Sequence, residues 1–196
     1  RLAISGANDE LRVNAGATAP EWYTPAAPGG STWTQLGTSS TVTPVPGLFD
    51  EILVSGLTAL FTDYSQIVGV ANFTTGSNSA GWRINGVSGG GLYDYYSNNN
   101  YGGSLTVQSL TGQDMMTQFR YNIANATGAF MVGHFMRNEH YNDYIQCVTH
   151  TMGTAGMATA GGILNQDIDT LTSLSVCGES QDIPAGILTV YGVTKT

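Results

Sequence analysis

From Trp33 to the C-terminus, short apolar runs recur between clusters of Gly, Asn, Asp and Ser. Asp114–Asn125 alternates most cleanly. Met115, Phe119, Tyr121 and Ile123 share one phase with Thr117, while Met116, Gln118, Arg120, Asn122 and Ala124 share the other. A period of two with one apolar phase predicts a strand that is buried on one side and wet on the other. Gly128–Asn138 is apolar on both phases, through Phe130, Met131, Val132 and Phe135. That pattern predicts a strand covered on both faces.

Leu48–Ser55, Tyr64–Thr74, Trp82–Val87, Leu105–Leu110, Tyr144–Met152, Thr170–Cys177 and Gly186–Val193 extend the series. About ten such segments, spaced by roughly 8–15 residues, predict an antiparallel sandwich or barrel. No segment carries a capped stripe of 3.6-residue period. Met157–Leu164 is assigned a short helical turn, which its glycines weaken. Residues 1–30 read differently: Pro20, Pro25, Pro28 and Gly29-Gly30 interrupt both helix and sheet. The expected organisation is an extended arm or linker over 1–30 and one all-β domain over 31–196.

Composition sharpens this picture. The 196 residues include 26 Gly, and only 10% are charged, against about 25% in an average domain. Ser, Thr, Asn and Tyr must therefore cover much of the surface, as suits a pleated sheet. The net charge is -8, and the six basic residues are dispersed. Nucleic acid is excluded as a partner, because binding phosphates requires clustered Lys and Arg. No apolar run is long enough for a membrane helix, so no membrane insertion is expected. No basic-then-apolar leader opens the chain, which begins on Arg1.

Candidate chemistry is sparse. His134, His140 and His150 fall on an expected hairpin that turns near Glu139–Asn142. That hairpin sets His134 opposite Gln146 and His150 opposite Phe130, roughly 13 Å apart and too distant for one metal ion. Asn165, Asp167 and Asp169 alternate like calcium donors but lack the loop's Gly and terminal Glu. There is no GxSxG elbow. Gly86–Gly91 lacks the ending of a phosphate loop. Asn72-Phe-Thr and Asn125-Ala-Thr match the glycosylation pattern by chance in this reading. Cys147 and Cys177 sit in apolar strands. Two buried free thiols are expected, with one disulfide as the alternative. No catalytic residue, metal site or cofactor is expected.

Leu92–Gly103 (LYDYYSNNNYGG) is the strongest binding candidate. Tyr93, Tyr95, Tyr96 and Tyr101 offer flat amphipathic rings, and Asn98, Asn99 and Asn100 offer adaptable hydrogen bonds. The structural alternative makes Tyr93 and Tyr95 an ordinary strand, with the asparagines forming its turn.

The two ends of the chain bear a resemblance. Ala185-Gly186 and Tyr191-Gly192-Val193 resemble the closing segment of many bacteriophage virion proteins, and Leu11–Trp22 (LRVNAGATAPEW) resembles a tail-fibre linker. Phe49–Leu57, Phe61–Tyr64 and Trp82–Asn85 are similar to the opening of the same domain. The chain departs from that family at Ile187 and in lacking a basic residue before Tyr191. The resemblance implies a jelly-roll-like β-sandwich, usually homotrimeric, on the virion surface. It further implies contact with other virion proteins through the N-terminal arm. The function expected from it is non-enzymatic: a fibre-tip domain that attaches to a host-surface glycan or protein. Two alternatives accompany it, a capsid decoration or head-fibre protein and a carbohydrate-binding module. A tailspike-like depolymerase is disfavoured, because it needs a longer chain with β-helix repeats.

Overall fold

A computed structural model describes residues 10–13, 16, 20–23, 32–45, 50–74, 79–87, 92–101, 104–120, 128–138, 144–153, 156–178 and 182–194. The chain divides into two units, residues 1–31 with 196, and residues 32–195. In the first unit, β1 (Glu10–Val13) pairs antiparallel with β2 (Pro20–Tyr23), Leu11 opposite Trp22. The segment expected to be a simple extended arm thus contains a strand pair. Pro20 is tolerated because it opens its strand, where its missing N–H interrupts nothing.

The second unit is a sandwich of two antiparallel sheets. Its strands are β3 (Trp33–Ser39), β4 (Val42–Thr43), β5 (Glu51–Leu60), β6 (Tyr64–Thr74), β7 (Ser79–Ile84), β8 (Tyr93–Tyr101) and β9 (Ser104–Gln113). They continue with β10 (Met116–Arg120), β11 (Ala129–Arg137), β12 (Tyr144–Gly153), β13 (Gly156–Asp167), β14 (Thr170–Gly178) and β15 (Ala185–Thr194). The large sheet has eight strands in the order β3-β15-β6-β11-β12-β13-β8-β9. The small sheet has five, β10-β7-β14-β5-β4. No helix occurs among the described residues. The all-β antiparallel sandwich expected from alternation and turn spacing is what the chain forms.

Trp82, at the heart of the core, explains two glycines. Its indole crosses from β7 toward the large sheet and meets Phe135 edge-on, with ring centroids 5.5 Å apart. Gly69 and Gly133 lie opposite each other on β6 and β11. A Cβ on Gly133 would sit 2.7 Å from the indole Nε1, and one on Gly69 would sit 3.0 Å from its far ring carbons. The paired glycines open the hollow that the indole fills. Ile52, Ile67, Phe73, Met131, Leu174 and Val190 pack into the same core.

Three local expectations change. Met157–Leu164 lies within β13 and is not helical. Ala158, Ala160 and Leu164 alternate inward there, so period-two burial overrides the weak helical signal. The strand expected over Asp114–Asn125 begins as β10 at Met116, with a register shift between Met116 and Phe119. Met115 and Met116 are both buried, because Met115 leaves the ladder to pack under Gly81. Residues 121–127, including Asn125, lie outside the described residues.

A buried ion pair went unnoticed in the sequence. Arg83 Nη1 meets Glu51 Oε2 at 2.6 Å, and Ser175 Oγ donates to the same oxygen at 2.7 Å. Arg83 and Ser175 are paired across β7 and β14, and all three residues are buried. Only the register of three strands distant in sequence brings these groups together.

Candidate functional site

The Tyr/Asn stretch is divided by the pleat of β8. Tyr93, Tyr95 and Ser97 point inward and are buried, whereas Asp94, Tyr96 and Asn98 point outward. Tyr93 Oη accepts from the Ile84 amide at 3.1 Å and donates to the Val87 carbonyl at 3.1 Å. Burial pushes its phenol well above the ordinary tyrosine range. Tyr93 and Tyr95 are therefore core residues, and of the expected ligand-binding set Tyr96 and Asn98 reach the outer surface. Asn99, Asn100 and Tyr101 belong to the same strand, not to a turn; their side chains lie outside the described residues.

The large sheet's outer face has a legible register. Along one row, Ile187 pairs with Asn72, Asn72 with Phe130, Phe130 with Met152, and Met152 with Met157. The next row runs Thr189, Val70, Val132, His150, Thr159, Asn98, Val107. A third runs Tyr191, Val68, His134, Val148, Gly161, Tyr96, Ser109.

The first row forms an apolar ridge, in which Met152 is 56% exposed, Met157 64% and Ile187 55%. At the third row and beyond it, the face sinks into an open trough of about 410 Å³ lined by Tyr96, Met136, Gln146, Val148, Gly161 and Ile163. Gly161 leaves this trough open. A Cβ there would find its nearest neighbour, the Cys147 carbonyl oxygen, at an ordinary 3.9 Å. Leu60 apart, every strongly exposed large apolar side chain among the described residues lies on this face, with Trp33 at its edge against Tyr191. A strand apolar on both phases was the one sequence signal for it, at Gly128–Asn138.

The reactive groups nearby are already engaged. Asp94 Oδ1 accepts from the Gly112 amide at 3.0 Å, and Oδ2 accepts from Asn165 Nδ2 at 2.8 Å. Asp167 and Asp169 lie 3.3 Å and 2.6 Å from the Arg137 guanidinium, so two of the three alternating oxygen donors serve an ion pair. Cys147 and Cys177 are buried and unbridged. Burial pushes both thiols up to about 12.

The hairpin register differs from expectation by two residues: His134 faces Val148, and His150 faces Val132. The two histidines are diagonal neighbours rather than distant. Burial lowers the His134 pKa, and the nearby His150 lowers it further. Their rings lean apart, His134 Nδ1 lying 3.0 Å from Gln66 Oε1 on one side and His150 Nδ1 3.2 Å from Thr159 Oγ1 on the other. Among the described residues, no three His, Cys, Asp or Glu side chains gather to hold a metal ion. His140 and the turn lie outside the described residues.

No family model and no curated protein matches the chain. Among solved structures, the chain resembles the crystal structure of the marine PL-14 alginate lyase from Aplysia kurodai, at 9% identity and a TM-score of 0.33. That alignment covers 95% of this chain and 85% of the lyase. A likeness this remote transfers no activity. The expected virion role finds no support in these comparisons and is withdrawn.

The terminal string behind that expectation has a packing explanation. Gly186 and Gly192 lie in β15, where a Cβ would collide with Ile52 and Phe73 in one case and with the Tyr64 ring in the other. The glycines of the AG and YG elements answer crowding by these neighbouring side chains.

Proposed function

We propose that this chain is a non-catalytic interaction module whose working surface is the outer face of the eight-stranded sheet. The observation that carries this is the collection of exposed apolar side chains on one face, from Ile187, Phe130, Met152 and Met157 to Val148 and Tyr96. A chain that leaves such residues unburied on a single face, while most of its other described apolar side chains fill a core, has a surface suited to association. The rows also carry few charges, as the centre of a protein interface does. The non-catalytic part of the reading is supported by the engagement of Asp94, the burial of both thiols and the divergence of the two histidines.

An apolar fluorophore such as anilinonaphthalene sulfonate tests the face directly. The folded chain at low concentration is expected to enhance its emission, and Met152→Glu with Met157→Glu should reduce that enhancement severalfold. Equal enhancement by the two proteins would remove the outer face as the binding surface.

A further inference from the structure

We infer that the partner for this face is a second copy of the chain, docked about a two-fold axis so that the ridge of each copy seats in the trough of the other. This rests on the reading of the face as an interaction surface and names what covers it.

The shape of the face supports it. Met152 and Val148 are four residues apart on β12, and Met157 and Gly161 are four apart on β13. Ridge and trough are thus separated by roughly 13 Å along the strands. A two-fold axis lying in the interface plane, crossing the strands over His150 and Thr159, exchanges the two ends and leaves the strand order unchanged. It sets the partner's Met157 over Gly161 and the partner's Met152 over Val148. The side chain missing at Gly161 is the space that an unbranched, adaptable methionine can occupy. Each contact occurs twice, as a two-fold interface requires.

Area and charge agree with this arrangement. Eight strands at about 4.8 Å spacing, with rows extending roughly 20 Å along them, give a face on the order of 700 Å², close to the roughly 800 Å² per partner of a standard stable interface. The chain carries a net charge of -8, so most of its surface would repel a copy of itself. The three paired rows bear no Lys, Arg, Asp or Glu among their described side chains. Asp94, at the trough margin, has both oxygens occupied.

Sedimentation equilibrium of the full chain, from micromolar to several hundred micromolar, tests the proposal. The wild type is expected to show a monomer–dimer equilibrium. Met157→Glu removes the ridge and Gly161→Leu fills the trough, and each should weaken dimerisation at least tenfold. Both positions are on the outer face, so both variants should retain the wild-type thermal unfolding midpoint within a few degrees. A 1:1 mixture of the two variants should dimerise more tightly than either alone, because the mixed dimer keeps one intact ridge–trough contact. A monomer at every concentration, a trimer, a dimer insensitive to both variants, or a mixture that shows no recovery would each overturn the inference. A monomer that still binds the apolar fluorophore through Met152 and Met157 would overturn the second copy while leaving the interaction face standing.

Discussion

The Trp82 indole Nε1 donates to Thr149 Oγ1 at 3.1 Å, joining the two sheets through the middle of the core. The partners are 67 positions apart, and both are buried. Thr149→Val keeps the shape but leaves the indole N–H without this acceptor. A loss of about 1–3 kcal/mol is expected, read from urea unfolding midpoints at unchanged slope.

The glycines beneath that indole should be far less tolerant than the trough glycine. Gly133→Ala places a methyl 2.7 Å from the Trp82 ring, whereas Gly161→Ala meets its nearest neighbour at 3.9 Å. Overpacking of this kind destabilises by roughly 1–3 kcal/mol. The expected outcome is a clear drop for Gly133→Ala and near-neutrality for Gly161→Ala in the same denaturation assay.

Removing Glu51 strands the Arg83 guanidinium in a site where both are buried. Glu51→Ala is expected to destabilise by about 3–5 kcal/mol. Replacing both partners with apolar residues of similar volume should be markedly milder than the single change. A double variant as unstable as Glu51→Ala would refute the view that the unpaired charge dominates.

The thiols make a prediction about pH. Cys147 and Cys177 have folded-state values raised from 9.0 to about 12. Between those values the unfolded chain has lost these protons and the native chain still holds them. Stability should therefore be intact below about pH 9 and fall toward pH 12, by about 1.4 kcal/mol per pH unit for each thiol. At pH 8 the native thiols should react with a disulfide reagent at least about 100-fold more slowly than the unfolded chain. A native rate equal to the unfolded one would contradict the burial.

Tyr93 and Tyr96 are near neighbours in sequence and should behave oppositely. Tyr93→Phe leaves the buried Ile84 amide without the hydroxyl it donates to, and is expected to destabilise by about 1–3 kcal/mol. Tyr96 is 49% exposed, so Tyr96→Phe should leave stability unchanged within error. Equal thermal shifts would mean that the inward and outward assignment along β8 is reversed.

Much of the architecture was legible along the chain. Alternation, turn residues and low charge each act over a few neighbouring positions, and they suffice to specify strands and an antiparallel sandwich. Where two local signals competed, as at Met157–Leu164, small residues gave too weak a periodicity to decide. At Leu92–Gly103 the alternate tyrosines fitted a strand, but alternation does not say which phase faces the core. Tyr93 went inward because the Ile84 amide and the Val87 carbonyl await its hydroxyl there.

What only the tertiary structure decided depends on register between distant strands. A two-residue change in the β11–β12 pairing turned two remote histidines into diagonal neighbours. The Glu51–Arg83–Ser175 contact and the Trp82 hollow each need three strands aligned at once. The ridge and trough likewise exist because residues from β6, β8, β11, β12, β13 and β15 fall into shared rows. By itself the sequence determined strands and sandwich, since those follow from local burial periodicity. The rows of the outer face had to await the fold, since cross-strand neighbours are set by long-range pairing that no local pattern encodes.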